Sequence, residues 1–342
     1  MTAKQTSLVR VDPERPDPSV VGRAADILRR GGLVAFPTET VYGLGANARD
    51  PDAVRKIFAA KERPTSDPLI VHVLDTEAAR AVTAEWPETA QRLAAAFWPG
   101  PLTLVLPKHG DIPEIVTAGL DTVAVRVPSH PVARAILAAA GVPIAAPSAN
   151  RFTELSPTRA EHVARALGGR VDLIVDAGPT PVGIESTVVD LRGPLPVVLR
   201  PGTISAPALA AVIGPLGAIA GGPSGDDTAP RRSPGMRERH YAPQAQVYLF
   251  DASTRDEAAR LGRVRDAAGG TVGALLLSDI DSTVRHRIAM PDDPALYARA
   301  LYAALHTLDE RGCDLVLIEL TPDTPAWTGI RDRLTRAARG GS

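Results

Sequence analysis

Several short segments place hydroxyl groups beside apolar runs that are typical of β-strands. The first is PTETVYGLGANA, residues 37–48, which follows a strand predicted over 33–36 and combines threonines, a tyrosine and glycines, with Thr40 near its centre. Glycine allows a ligand to approach the backbone closely, and threonine hydroxyls bind phosphate or carboxylate groups. The same residues also suit an ordinary turn at the end of a strand. This segment alone leaves both interpretations open.

Cationic side chains lie beside two later strands. Lys61 and Arg63 end a predicted helix just before a proline, and His72 follows in the next strand, a set that suits an anionic ligand such as a triphosphate. The alternative is a basic helix end stabilised by the helix dipole. Arg126 interrupts an apolar strand and therefore needs an anion, either a ligand carboxylate or an acid of the protein itself.

Polar residues recur at the ends of the remaining strands, in APSANRFTELSPT, GIESTVVD and VLRPG. Open α/β sheets hold their ligands at strand ends, although each residue could also serve a cap or turn. The sequence contains no P-loop, HExxH motif or ordered Ser/His/Asp set. A pocket rich in donors and cations suits nucleotidyl transfer, in which the substrate attacks a phosphate and Mg²⁺ arrives on the triphosphate without an all-protein metal cage.

The elements that must position these residues form an α/β pattern with a mixed sheet in the first domain. The strands are predicted over residues 33–36, 69–73, 102–107, 122–127, 144–146, 173–176, 186–190 and 196–200. The helices are predicted over residues 19–30, 51–61, 76–81, 87–97, 131–140 and 158–168, the last capped by Ser156-Pro157-Thr158.

A chain of 342 residues suggests two domains. Residues 207–245 are rich in alanine and glycine and then basic, which predicts a linker or mobile loop. Beyond them, strands at 246–250, 272–277 and 314–320 alternate with helices at 254–267, 294–310 and 327–338. This pattern predicts a small, open, Rossmann-like α/β domain, without the glycine-rich turn of a phosphate site.

Composition narrows the class of protein. The formal net charge of −1 predicts no general attraction to nucleic acid. Cys313 is the only cysteine, so the chain alone forms neither a disulfide framework nor a thiolate zinc cluster. The amino-terminal residues lack the apolar core of a signal peptide, and no later run is long enough to span a membrane. We therefore expect a cytoplasmic protein without membrane contact.

The motifs taken together resemble one family. PTETVYGLGANA, KERPTSDPLIVHV, WPGPLT, VAVRVPSHP, PSAN, SPT, ESTVVD and VLRPG occur in the order and spacing of the YrdC/Sua5 family of threonylcarbamoyl-AMP synthases. SPGMRERHYAP resembles the linker of the two-domain Sua5 form. The resemblance implies a YrdC-like catalytic domain over 15–206, with a twisted mixed sheet and flanking helices. It also implies a linker or active-site cover loop over 207–245 and a Sua5 C-terminal domain over 246–342.

The resemblance also implies the reaction and its residues. L-threonine, bicarbonate and ATP would give threonylcarbamoyl-AMP and pyrophosphate, with Mg²⁺ carried by ATP, for t6A modification of tRNA by a downstream transferase complex. Asp67 departs from the family pattern, in which the residue before Pro-Leu is usually not acidic. The implied catalytic residues are Lys61, Arg63 and Arg200; those for threonine are Thr40, His72, Arg126, Ala146 and Ser186; those for ATP are Arg63, Thr122, Ser148, Ser156, Arg200 and Tyr241.

Two other functions compete with this one. An RNA- or nucleotide-binding module of the same fold could contact tRNA through the basic residues 231–240, which a solvated loop explains equally well. A carbamoyltransferase domain of a hydrogenase-maturation enzyme would be accompanied by cysteine zinc fingers, which one cysteine argues against. If the synthase interpretation holds, we expect residues 228–243 to cover the bound nucleotide and exclude water from a reactive product.

Overall fold

The computed structural model describes residues 5–217, 241–278 and 284–339. Within these ranges the chain forms a ten-stranded mixed sheet and a separate four-stranded sheet. The strands of the larger sheet are β1 (Ser7–Arg10), β2 (Val34–Pro37), β3 (Tyr42–Asn47), β4 (Ile70–His72), β5 (Leu102–Pro107), β6 (Thr122–Arg126), β7 (Ile144–Ala145), β8 (Leu173–Asp176), β9 (Thr187–Asp190) and β10 (Val197–Arg200).

The helices of the first domain flank this sheet. They are α1 (Pro18–Arg29), α2 (Pro51–Lys61), α3 (Thr76–Arg80), α4 (Glu88–Phe97), α5 (Glu114–Thr117), α6 (Pro131–Ala140), α7 (Ala160–Leu167) and α8 (Ala206–Ile213). The strand order is β1-β8-β2-β3-β7-β4-β6-β5-β9-β10, with parallel and antiparallel neighbours mixed as predicted. Apolar residues from both faces of the sheet form the two main cores.

Two strands of this sheet were not predicted. β1 adds to the edge beside β8, and β3 pairs antiparallel with β2 and β7. The glycines of β3 favoured a turn in the sequence, because glycine is depleted in strands. Gly45 has a packing reason, since a Cβ atom there would lie 2.6 Å from the Phe36 ring. Residues 42–47 therefore form a buried strand rather than the turn that was one of the two interpretations.

The start of one helix and the start of the linker also differ from expectation. α7 begins after Arg159, which makes no side-chain cap, and Ser156 and Thr158 are buried rather than capping. The predicted linker opens with a helix, α8, whose first turn is capped by the Ser205 hydroxyl and which packs against α4. Alanine suggested a linker by composition, but it is also the strongest helix former. Residues 218–240 lie outside the described residues.

The second domain has four parallel strands where three were predicted. They are β11 (Gln246–Phe250), β12 (Val272–Leu276), β13 (His286–Ala289) and β14 (Leu315–Glu319), in the order β11-β14-β12-β13. The helices are α9 (Arg255–Ala267), α10 (Pro294–Glu310) and α11 (Thr328–Ala338). α10 and α11 cover one face of the sheet, and α9 packs on the other. No helix within the described ranges is long and apolar enough to cross a membrane.

The two domains pack closely against each other. A single apolar cluster contains Val41, Leu155 and Ile184 of the first domain together with the buried residues of α10 and α11. Glycine permits contact between backbones at this interface. A Cβ atom on Gly183, whose φ is +87°, would lie 2.4 Å from the carbonyl oxygen of Ala298 in α10. The second domain is thereby held against residues 183–202, which carry part of the candidate site.

Candidate active site

One open pocket lies where several strands of the larger sheet end. It encloses about 500 Å³ of space, part of which is open to solvent. The lining comes from the segments that follow β2 and α2, from the turn that precedes β9, and from the ends of β4, β6 and β10. Tyr241 also contributes to it. The lining residues are Thr38, Thr40, Val41, Gly43, Arg63, Ile70, His72, Arg126, Ala146, Pro147, Ser148, Glu185, Arg200 and Tyr241.

His72 and Arg126 lie side by side in the pocket. They are the last residues of the parallel strands β4 and β6 and are direct partners in the register. Arg126 Nη2 donates to Glu39 Oε1 at 2.6 Å, and its Nε donates to the Gly100 carbonyl at 3.3 Å. The sequence required either a ligand carboxylate or an acid of the protein as the partner of Arg126. The structure shows that Glu39 is this partner. Within the described residues, Nη1 of Arg126 makes no hydrogen bond and is left for a ligand.

The imidazole of His72 is neutral at physiological pH. Burial and the adjacent positive charge of Arg126 lower the pKa of His72 from 6.5 to about 3. A neutral ring adds no charge to the pocket and can accept or donate one hydrogen bond according to its tautomer. Beside Arg126, it gives this end of the pocket one cation and one neutral polar group.

Lys61 lies beneath the pocket. It ends α2, is almost fully buried, and its Nζ donates to the backbone carbonyls of Ser148 and Asn150. Burial, and secondarily the charge of Arg63, lowers the pKa of Lys61 well below its ordinary value. Its hydrogen bonds fix the loop that presents Ser148 to the pocket. The structure therefore places Lys61, which the resemblance implied as a catalytic residue, behind the lining as support for this loop.

Arg63 lines the pocket beside the acid that departs from the family pattern. Its Nη2 donates to the Pro68 carbonyl at 3.2 Å and lies 3.8 Å from Asp67 Oδ2, and both side chains are buried. The guanidinium also lies 5.8 Å from the centroid of the Phe152 ring. Asp67 thus acts as a counter-ion within the protein, which orients the guanidinium of Arg63 and reduces the repulsion that a free carboxylate would exert on phosphate.

Arg200 and Ser186 form a buried pair at the start of β9 and the end of β10. Arg200 Nε donates to the Ser186 carbonyl at 3.1 Å, and Nη2 lies 3.0 Å from Ser186 Oγ. The Ser186 hydroxyl is also 2.8 Å from that of Thr103. Ser186 does not line the pocket, so its described contacts orient Arg200, which does.

Glu185 is the one acid among the described residues that line the pocket. It receives hydrogen bonds from the hydroxyls of Ser156 and Tyr302 and from Arg333, which lies in α11 of the second domain. Burial would raise the pKa of Glu185, but Arg333 and Arg200 outweigh it and the pKa is lowered. The pocket therefore contains a carboxylate whose ionised form is favoured and whose partners come from both domains.

Known proteins share this arrangement of two domains. Residues 26–202 match the Sua5/YciO/YrdC family model, described as telomere recombination, and residues 204–339 match the C-terminal domain of threonylcarbamoyl-AMP synthase. The chain is 44% identical over 333 residues to threonylcarbamoyl-AMP synthase of Bacillus subtilis, covering 95% of this chain and 94% of that one. It is 42% identical over 320 residues to the enzyme of Pyrococcus abyssi, covering 92% and 93%.

A solved structure agrees over almost the whole chain. The structure of P. abyssi Sua5 complexed with L-threonine has a TM-score of 0.89 and 40% identity, and the match covers 97% of each chain. The chain belongs to the two-domain Sua5 family of threonylcarbamoyl-AMP synthases. The YrdC-like fold with a second Rossmann-like domain is confirmed.

Eight of the twelve site residues predicted for this Sua5-type synthase lie together in the pocket, and four do not line it. Lys61, Ser156 and Ser186 lie behind the lining and hold Ser148, Glu185 and Arg200 respectively. Thr122 begins β6 and faces the same side as Arg126, about 13 Å away along the strand. The eight that line the pocket are Thr40, Arg63, His72, Arg126, Ala146, Ser148, Arg200 and Tyr241.

Sequence reasoning missed the acids and the second domain's contribution. Glu39 and Glu185 both lie inside motifs that were recognised, and an acid within an otherwise apolar or hydroxyl-rich motif was the available signal. Arg333 gave no signal, because α11 contains three arginines and burial distinguishes only one of them as fully enclosed. Tyr241 reaches the pocket with a left-handed backbone, φ +63°, which its sequence context did not reveal.

Proposed function

We propose that this protein joins L-threonine, bicarbonate and ATP into threonylcarbamoyl-AMP and releases pyrophosphate. The observation that carries the proposal is the pocket itself, which combines three arginines with a neutral histidine and several hydroxyls. Such a lining binds a carboxylate and a polyphosphate and leaves the nucleophile to the substrate. The membership of the family supports the same reaction.

Threonine binds at the end of the pocket that contains Arg126, His72 and Thr40. The Nη1 group of Arg126 receives the threonine carboxylate, while Glu39 holds the rest of the guanidinium in place. The neutral His72 can hydrogen-bond to the substrate without repelling its amine, which an imidazolium would do. The Thr40 hydroxyl, 2.8 Å from that of Thr38, adds a further polar contact.

ATP binds at the end that contains Arg63, Ser148 and Arg200. Two guanidinium groups there offset the charge of the triphosphate, and the Ser148 loop is fixed by Lys61. Tyr241 closes one side of the pocket, with its ring buried. Thr122, at the start of β6, does not line the pocket, and its contact with ATP is proposed from the family resemblance alone.

The reaction follows in two steps. The unprotonated amine of threonine combines with bicarbonate, losing water, and forms an N-carboxylate. An oxygen of this carboxylate attacks the α-phosphorus of ATP, and the bond to the β,γ-pyrophosphate breaks. Arg63 and Arg200 stabilise the charge that develops on the transferred and leaving phosphates. Positioning and electrostatics account for the chemistry, since the carboxylate itself is the nucleophile.

Mg²⁺ is proposed as a component of the ATP complex. Within the described residues no group of three His, Cys, Asp or Glu side chains could hold a metal ion, and the oxygens of Glu185 already accept three hydrogen bonds. This donor set fits a magnesium ion held by phosphate oxygens and water. Mg²⁺ would supply charge neutralisation on the triphosphate.

The product is proposed to serve t6A modification of tRNA in the cytoplasm, through a downstream transferase complex. A mixed anhydride of a carbamate and a phosphate transfers its carbamoyl group readily to an amine such as the exocyclic nitrogen of adenosine. ATP as a substrate and the free, buried thiol of Cys313 are both compatible with a reducing cytoplasm.

The test is pyrophosphate release by the purified protein, with and without L-threonine and bicarbonate. We expect release that requires both and falls by roughly two orders of magnitude in Arg63→Ala, as loss of a charge-stabilising group does. Arg263→Ala, an exposed arginine of α9, is the matched control and should retain full activity. Salt-sensitive RNA binding without pyrophosphate release would instead favour the RNA-binding module.

A further inference from the structure

The second domain contributes one fully buried cation next to the ATP end of the pocket. Arg333 lies in α11 with no exposed side-chain surface. Its Nε donates to Glu185 Oε2 at 2.7 Å, and its Nη1 donates to the Pro201 carbonyl at 3.0 Å and to Asp332 at 2.7 Å. The guanidinium also lies 5.0 Å from the centre of the Tyr241 ring. Arg333 thus contacts Glu185, which precedes Ser186, and Pro201, which follows Arg200.

Arg333 offsets the negative charge that Glu185 brings to the pocket. A carboxylate in the lining of a triphosphate site repels the ligand unless its charge is held by a nearby cation. Arg333 and Arg200 both act electrostatically on Glu185, but the direct hydrogen bonds recorded for the carboxylate come from Arg333, Ser156 and Tyr302. Two of these three donors belong to the second domain.

We propose that Arg333 is a positioning residue for ATP binding, acting by keeping Glu185 away from Arg200. With Arg333 present, Glu185 is hydrogen-bonded from behind the pocket, and Arg200 keeps its hydrogen bonds to Ser186 while it lines the ATP end. Without Arg333, the buried carboxylate turns to Arg200 as its counter-ion and removes one of the two cations at the ATP end. The second domain then has a defined part in the reaction.

The proposal predicts a selective effect. Arg126, His72 and Glu39 share no contact with Arg333, so threonine binding should not depend on it. An arginine that only joined the two domains would instead change stability, or affect both substrates alike. The proposal rests on the proposed use of ATP, so ATP binding is measured directly as well as turnover.

The experiment compares Arg333→Met with the double variant Arg333→Met/Glu185→Gln. We expect Arg333→Met to raise both the Kd and the KM for ATP roughly tenfold, with the KM for threonine unchanged. The double variant should recover most of the lost ATP affinity, because a neutral amide has no need of Arg200. The control is Arg331→Met, on the same helix, whose described contacts are Thr321 and Asp323 of its own domain.

Arg333→Lys keeps the test open if the methionine variant does not fold. Lysine retains the positive charge but lacks the guanidinium group that donates to Pro201 and Glu185 at the same time. A few-fold rise in the Kd for ATP is therefore expected. Equal losses for ATP and threonine, or no recovery in the double variant, would overturn the proposal. ATP binding that behaves as expected in a protein that releases no pyrophosphate would refute the proposed function and leave this inference standing.

Discussion

Lys61 Nζ hydrogen-bonds to the backbone carbonyls of Ser148 and Asn150, and so joins the end of α2 to the loop after β7. A lysine in a synthase pocket suggests direct contact with phosphate, but here its donors are directed at the protein. These hydrogen bonds are needed because Lys61 is buried, and a buried amine without acceptors would cost several kcal/mol. The contribution of Lys61 to ATP binding is therefore indirect.

Lys61→Met is expected to weaken ATP binding and to lower the melting temperature together. The carbonyls of Ser148 and Asn150 would lose a buried donor, at a cost of about 1–3 kcal/mol for each unsatisfied group. Calorimetry of ATP binding and thermal unfolding would measure both effects. Lys56→Met is the matched control, since Lys56 on the same helix also donates to a carbonyl, that of Gly31, but away from the pocket.

Arg126→Gln combined with Glu39→Gln is expected to raise the KM for threonine by roughly ten- to a hundredfold, the value of a charge-assisted hydrogen bond to a carboxylate. Changing both members avoids leaving Glu39 buried without its partner. The Kd for ATP measured without threonine should stay within about twofold of the original. A proportionate loss of ATP binding would show that Arg126 does not act on threonine alone.

His72 should remain neutral throughout the working pH range. Since its folded-state pKa is about 3, its ring proton signals in NMR should not titrate between about pH 5 and pH 8. The urea-unfolded protein serves as the reference, because histidines of an unfolded chain titrate near about pH 6.5. An inflection for His72 near its ordinary pKa would contradict the lowering of that pKa by burial and by the charge of Arg126.

Acid should weaken the contact between the domains. His162 of α7 and His306 of α10 stack with ring centroids 3.7 Å apart, and burial is the main cause that lowers their pKa values to about 3 and about 4. Unfolded histidines bind protons below about pH 6.5. Stability is therefore complete above that pH and falls as the pH drops towards 4, because only the unfolded chain takes up these protons.

Chemical denaturation at about pH 7 and about pH 5 would measure this loss. The variant His162→Phe/His306→Phe keeps two aromatic rings but cannot titrate, so its loss of stability between the two pH values should be smaller. An identical pH dependence in the variant and the original protein would show that the stacked pair does not account for the effect.

Gly183→Ala should destabilise the protein more than a left-handed backbone alone explains. The added Cβ would meet the Ala298 carbonyl oxygen at 2.4 Å, so α10 would have to move. Gly119→Ala is the matched control, because Gly119 has a similar φ of +79° and no atom within 4 Å of the added Cβ. The control should cost about 1 kcal/mol. Urea denaturation should show a clearly larger loss for Gly183→Ala.

The sequence predicted most of the fold because hydrophobic periodicity and capping residues fix local structure. The helices 51–61, 131–140 and 294–310 coincide with α2, α6 and α10. The failures have physical causes. In β3, Gly45 leaves room for the ring of Phe36, and β1 is a short edge strand with an exposed face. Local pattern does not report either condition.

The residues that line the site were predicted through their motifs. Arg333, which contacts the lining from behind, was not predicted. The family resemblance assigned Arg126 and His72 to the same substrate, and the register of β4 and β6 brings the two residues together. The pairing of Glu185 with Arg333 joins residues 148 positions apart in different domains, and depends on how two complete domains pack. A single sequence contains no signal for such a contact.

The apolar cluster that joins Val41, Leu155 and Ile184 to α10 and α11 has a consequence for how the molecule unfolds. Two sheets suggest two folding units, but this interior is shared between them. Separating the domains would expose it on both sides, at about 25 cal/mol for each Å² of apolar surface uncovered. Heating should therefore give one cooperative transition, and the two sheets should melt at the same temperature.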